Sequence, residues 1–294
     1  MNIDSQILLG RVGNPLGRRL GSLLACCCIL AGSHALHAQV RAVPNPTPQA
    51  VFGGEQRFIR VHFENPSPDE QVDEVRARLL QLTSATAVPI RITPWKTLRM
   101  LPGQEVVERF ETEFPAVKTE TRFAIQWLDE GGRVMGRTDV RVFPARPLGG
   151  LKALLDGSAV GVVDPADRIP SVLREAGLEV EVVDIEALAR FEGKLLIIGP
   201  KDGMTSVPDG LGTDLLRLAR KGVAVVWLVA PDPGKPLGPS FQRMAEGNGT
   251  LMIVDPTLVE ELATSPLAQK NLLQLATQAL RPVPSAPPGS DPNE

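Results

Sequence analysis

The hydrophobic period of this chain changes once, near residues 144–150, and that change constrains the fold more than any other feature. Ahead of it, apolar residues alternate with polar ones. In Arg57–Phe63, Ile59, Val61 and Phe63 fall on one side, and Arg60 and His62 on the other. A period of two marks a half-buried strand. Further strands are expected over Val75–Thr83, Val88–Ile92, Val106–Phe114, Arg122–Leu128 and Arg133–Phe143. Turn chemistry separates them at Asn65-Pro66-Ser67-Pro68, Leu101-Pro102-Gly103-Gln104 and the hairpin Asp129-Glu130-Gly131-Gly132. Short strands with regular turns predict an antiparallel sandwich over 56–145. The Pro/Gly-rich stretch 39–55 reads as an extended lead-in.

Beyond a linker at 146–150, continuous apolar runs replace alternation. They are Ala159–Val163, Glu179–Val183, Leu195–Ile198, Val223–Val229 and Leu251–Val254. Segments at helical spacing separate them: Ile169, Val172, Leu173 and Ala176, then Leu215, Leu216, Leu218 and Ala219, stopped by Gly222. Two more helices, Leu258–Ala263 and Leu267–Leu280, close the region. Apolar strands alternating with amphipathic helices predict a parallel sheet covered on both faces, an α/β three-layer unit over 151–281. The Pro/Gly/Ser-rich tail 282–294 is expected to be disordered.

The first 38 residues have a different logic. Arg11, Arg18 and Arg19 precede the uncharged apolar run Leu20–Leu36, and small residues recur at Ala35 and Ala38. A basic flank, a short apolar stretch and a small exit residue make a secretory signal. Cleavage is expected after Ala38, with Ala35 as the alternative, and the protein is expected to be periplasmic or secreted. Alternatives are a retained N-terminal anchor and lipidation at Cys26, because Leu23-Leu24-Ala25-Cys26 resembles a lipobox.

Export then narrows the chemistry. All three cysteines, Cys26, Cys27 and Cys28, lie in the signal, as do His34 and His37. The mature chain would keep His62 alone and no thiol, which removes disulfides, thiolate nucleophiles and zinc–thiolate sites. Taking Arg11, Arg18, Arg19 and Asp4 from 31 basic and 34 acidic residues leaves 28 and 33, a net charge of −5. That balance offers no basic field for a phosphate backbone, so nucleic acid is not an expected partner. A protein or carbohydrate partner is expected instead, with no membrane span after signal cleavage and no cofactor.

Two resemblances follow from these residues. The pattern FIRVHFENPSPD, LPGQEVV and RFAIQWLDEGGRVMGRTDVRVFP resembles immunoglobulin-like or fibronectin-type modules of bacterial exported proteins, without the inter-sheet disulfide of antibody domains. The stretch AVGVVDPADRIPSVLREAGLEVEVVDIEALARFEGKLLIIGPKD with LLRLARKGVAVVWLVAP resembles the class I glutamine amidotransferase-like fold, a flavodoxin-like sandwich. That family places a cysteine nucleophile in the tight turn after a strand. Here Val223–Val229 runs into Ala230-Pro231-Asp232-Pro233, so the resemblance implies a nucleophile-less relative, used for binding or scaffolding.

The candidate site is the set Asp164, Asp167, Asp184, Lys201, Asp202, Asp232 and Asp255, all at or just past the C-terminal ends of predicted strands. In open α/β sheets ligands bind along that edge. Such acids suit a divalent cation or a carboxylate-dependent hydrolysis, and equally a small-ligand sensor. Asp before Pro or at a helix start also serves as ordinary capping chemistry. No residue is assigned a catalytic or metal-ligating role on sequence alone. Trp95 and Trp127 are expected in the core of the β region, with sugar stacking as the alternative.

Overall fold

The computed structural model describes residues 39–200, 210–229 and 241–281. The expected signal segment 1–38 and the tail 282–294 lie outside the described residues. The protein is mostly sheet. The first eight strands are β1 (Arg41–Val43), β2 (Gln49–Phe52), β3 (Gln56–Glu64), β4 (Gln71–Leu82), β5 (Ala87–Met100), β6 (Glu105–Glu113), β7 (Thr121–Leu128) and β8 (Val134–Phe143). They form a three-stranded sheet β1-β3-β6 and a five-stranded sheet β2-β8-β7-β4-β5.

Alternation sets the inner face. Ile59, Val61 and Phe63 of β3 join Phe123, Ile125 and Trp127 of β7 in one core cluster. Phe63, Trp95, Phe110 and Trp127 meet there with ring centroids 5.2–6.1 Å apart. Trp127 is fully buried, and its Nε1 donates to Thr138 Oγ1 at 2.9 Å. Trp95 is the unpaired residue of a bulge between β4 and β5, where Val75 pairs with Lys96 and Arg76 with Pro94. The bulge lets Trp95 reach the aromatic cluster although its strand is an edge.

Two sequence expectations are corrected in this half. The lead-in 39–55 is not merely extended, because it contains β1 and β2. The chain crosses between sheets there: β1 pairs antiparallel with β3, and β2 pairs parallel with β8. The five-stranded sheet is therefore mixed rather than antiparallel. The crossing is fixed by Gln49, whose side chain exchanges two hydrogen bonds with the Arg60 backbone. Gly136 lets β8 come close to β1, since a Cβ there would lie 2.4 Å from the Ala42 carbonyl oxygen.

The second half follows a 3₁₀ turn, Pro147–Leu151. Its elements are α1 (Lys152–Leu155), β9 (Val160–Val163), α2 (Arg168–Glu175), β10 (Val180–Val182), a 3₁₀ turn Ile185–Arg190, β11 (Leu195–Ile198), α3 (Leu211–Arg220), β12 (Ala224–Leu228), β13 (Phe241–Glu246), β14 (Gly249–Val254), α4 (Thr257–Glu260) and α5 (Pro266–Leu280). The sheet order is β10-β9-β11-β12-β14-β13. Five strands run parallel, and β13 adds an antiparallel edge that the apolar-run pattern does not contain. Every residue of β9 and β11 is buried, which is why these strands read as unbroken apolar runs. Apolar side chains of α2 and α5 pack on one face, and Leu211, Leu215 and Leu218 of α3 on the other.

The expected linker at 146–150 is also corrected. Ala145 and Arg146 are exposed, but Leu148 and Leu151 are wholly buried and pack with α5. Two leucines three residues apart on a 3₁₀ turn face the same way, so the connection itself becomes core. Across this junction, Glu120, ahead of β7, accepts from Arg141 of β8 and from Lys270 of α5, each at 2.6 Å. Arg141 holds the Glu120 carboxyl down to about 2, with Lys270 adding to the effect against a partial burial that opposes it.

Candidate functional site

The C-terminal ends of β9 and β10 border a groove of about 650 Å³, lined by Asp164, Asp184, Glu186 and Arg190 among apolar residues. Asp164 follows β9 directly and is 4% exposed. Its carboxylate accepts the Ile169 N–H at 2.8 Å and the Ala166 N–H at 3.2 Å. These donors belong to the turn and first residues of α2, where helical N–H groups lack internal partners. Gly199, at the end of β11, passes so close that a Cβ there would lie 3.2 Å from Asp164 Cβ and Cγ. Asp164 is thus a buried cap held between two strand ends.

The other candidates separate. Asp184 is exposed in the same groove, and its carbonyl accepts the Ala187 N–H to open the 3₁₀ turn. Asp167 sits at φ +51 on the surface, where its carboxylate accepts from Ser171 Oγ at 2.9 Å and Arg174 Nη1 at 3.1 Å. Asp255 accepts the Thr257 N–H at 2.9 Å and lines a different groove, about 540 Å³, between α4 and α5. Lys201, Asp202 and Asp232 lie outside the described residues. The structure therefore brings Asp164 and Asp184 together and keeps Asp255 apart. Among the described residues, no three His, Cys, Asp or Glu side chains are grouped to hold a metal ion.

Sequence reasoning missed Glu186 and Arg190, which share the first groove. It also missed Asn271, Gln274 and Gln278, which line the second along one side of α5. Their spacing of three and four was the available signal, masked by reading Leu267–Leu280 as ordinary packing. His62 is half-exposed, with Nε2 3.2 Å from Glu105 Oε2, on a strand far from either groove in sequence.

Shifted carboxyls fall elsewhere. Asp73 of β4 is raised, first by burial and then by the Asp129 carboxylate, against the pull of Arg133. Asp129 is lowered: burial pushes it up, but hydrogen bonds from the Arg133 side chain and backbone outweigh that. Glu70 is lowered by its bond to Arg99. All three lie in the β half.

No family model matches this sequence, and no curated protein matches it either. Solved structures resemble parts of it. One is the Pseudomonas fluorescens alkylpurine DNA glycosylase AlkC bound to DNA containing an abasic site analog, at 18% identity, 36% of this chain, 30% of that chain and TM-score 0.29. A second is β-glucosidase from Listeria innocua in complex with glucose, at 15% identity, 36% of this chain, 16% of that one and TM-score 0.27. A third is a Niemann-Pick type C2 protein from Japanese carpenter ant, at 10% identity, 32% of this chain, 78% of that one and TM-score 0.26. The match spans less than a third of the first two neighbours, and likenesses at this level carry no inference about fold or function. Among the described residues, no helix is long and apolar enough to cross a membrane.

Proposed function

We propose that this chain is an exported, non-catalytic binding or scaffolding protein, built as an immunoglobulin-like sandwich joined to a nucleophile-less, amidotransferase-like α/β unit. The observation that carries the reading is the use made of Asp164. Its carboxylate is buried and engaged by two backbone N–H groups, as a helix cap rather than as a free acid at a reaction centre. The chain's crossing between sheets at β1 and β2 supports an immunoglobulin-like sandwich, and the strand order beginning β10-β9-β11-β12 supports a flavodoxin-like unit.

The second reading is a carboxylate- or metal-dependent hydrolase, or a small-ligand sensor, at the same edge. It is favoured by the groove holding exposed Asp184, Glu186 and Arg190. Thermal melts with and without Mg²⁺, Ca²⁺, Mn²⁺ and Zn²⁺ separate the two. The scaffold reading expects no metal-dependent rise. A rise abolished by Asp184→Asn, together with a turnover that needs the metal, would replace it with the hydrolase. Export is tested on protein from the native host, whose N-terminus is expected near Gln39. A chain recovered from the cytosol and starting at Met1 would sink the localisation.

A further inference from the structure

The outward face of the three-stranded sheet carries unneutralised charges of both signs around an exposed ring. On β3, Phe58, Arg60 and His62 point away from the core that Ile59, Val61 and Phe63 enter. The register sets Arg60 directly opposite Arg109, Phe58 opposite Glu111, and His62 opposite Val107. Two neighbouring acids on this face have partners of their own, Glu64 in an ion pair with Arg41 and Glu105 with its Oε2 3.2 Å from His62 Nε2. Among the described residues, Arg60, Arg109 and Glu111 form no ion pair, and the Arg109 guanidinium lies over the Phe58 ring, 4.6 Å from its centroid. Like charges directly opposite on paired strands are destabilising. Phe58 is 53% exposed and Val107 65%.

We propose that this face is the interface of a two-fold dimer, in which the Arg60/Arg109 row of each copy lies on the Phe58/Glu111 row of the other. The rows are two residues apart, roughly 7 Å along the strands. A two-fold axis lying in the face, across the strands and midway between the rows, superposes one row on the other. Arg109 then meets Glu111 of the second copy, and Arg60 covers its Phe58. Each contact occurs twice, as an isologous interface requires. An acidic polymer would neutralise the arginines but set its own charge against Glu111 and Glu113. A second copy satisfies both signs, and the proposal stands apart from the functional reading above.

Sedimentation equilibrium of the full chain, from low to high micromolar concentration, tests it. The wild type is expected to dimerise. The double substitution Arg60→Glu, Arg109→Glu and the single Glu111→Arg should each weaken the dimer about tenfold or more, since each sets like charges together. An equimolar mixture of the two variants should recover the dimer, because the reversed charge at position 109 of one variant then faces the reversed, opposite charge at position 111 of the other. Circular dichroism checks that the variants fold, and Glu111→Gln, which should weaken the dimer less, replaces any that does not. A wild type that stays monomeric overturns the proposal, as does a dimer indifferent to both reversals or a mixture that stays apart. A monomer that binds heparin or polyglutamate through Arg60 and Arg109 overturns it too, and gives the face to an anionic ligand.

Discussion

The two halves of the described chain fill their cores with different materials. Of nine Phe and three Trp, all but Phe191, Trp227 and Phe241 precede residue 144. The core between β3 and β7 rests on a few large rings in mutual contact. The α/β half rests on many aliphatic side chains spread over two faces of one sheet. A core of few large pieces concentrates stability in single residues, whereas a core of many small ones distributes it.

The largest expected effect tests that contrast. Trp127→Ala removes a fully buried ring and leaves the Thr138 hydroxyl without its donor. A loss of about 3–5 kcal/mol is expected from chemical denaturation followed by far-UV circular dichroism. A loss below about 1 kcal/mol would mean that the neighbouring rings close the gap, and the β half would not be ring-dependent. Next comes Asp164→Ala, which strips the cap from Ala166 and Ile169. It should lower stability by about 1–2 kcal/mol. An unchanged melting curve, with a ligand or activity lost instead, would turn Asp164 from a cap into a site residue.

Ile197→Val, at a fully buried position of β11, should cost only about 1 kcal/mol. A loss as large as that of Trp127→Ala would remove the distinction between the halves. The smallest effect belongs to the junction. The Glu120 carboxyl is held near 2 by Arg141 and Lys270, below its ordinary 4.5. A lowered folded-state value contributes stability above about 4.5 that is lost as pH falls through about 2. Solvent screening limits it to about 1 kcal/mol at neutral pH. Glu120→Gln should therefore flatten the stability profile between those two pH values. A profile identical to that of the wild type in this window would show that the contact does not hold the halves together.

Legibility followed the same division. Elements whose burial is periodic were readable: β3, β6, β7 and β8 stand within a residue or two of their expected spans, and β9 and β11 announce themselves as apolar runs. What escaped was pairing without burial contrast. The strands β1 and β2 are short and lie among Pro44, Pro46 and Pro48, so composition read as a lead-in while Gln49 and Gly136 fixed the crossing from a distance. Strand β13 follows a Pro/Gly-rich stretch, yet Gly247-Asn248 was a usable signal. Gly247, at φ +58, makes the two-residue hairpin turn into β14. The candidate acids were found by position, but whether an Asp faces a groove or caps the next helix depends on a turn only a few residues long. Asp164 and Asp184 look alike in sequence and differ in burial. The linker misled because two leucines among Pro and Gly carry too little periodicity to reveal a core contact made by residues more than a hundred positions later.

That late contact bears on how the polypeptide is made. Leu148 and Leu151 emerge at mid-chain, but the helix that covers them, α5, ends only at Leu280. Until α5 has been synthesised, two leucines and the part of the parallel sheet that α2 leaves bare have no cover. Helix α5 acts as a closing piece, so a chain cut before Pro266 should be retained by chaperones and removed by proteases, rather than fold as a free-standing β half with a loose appendage.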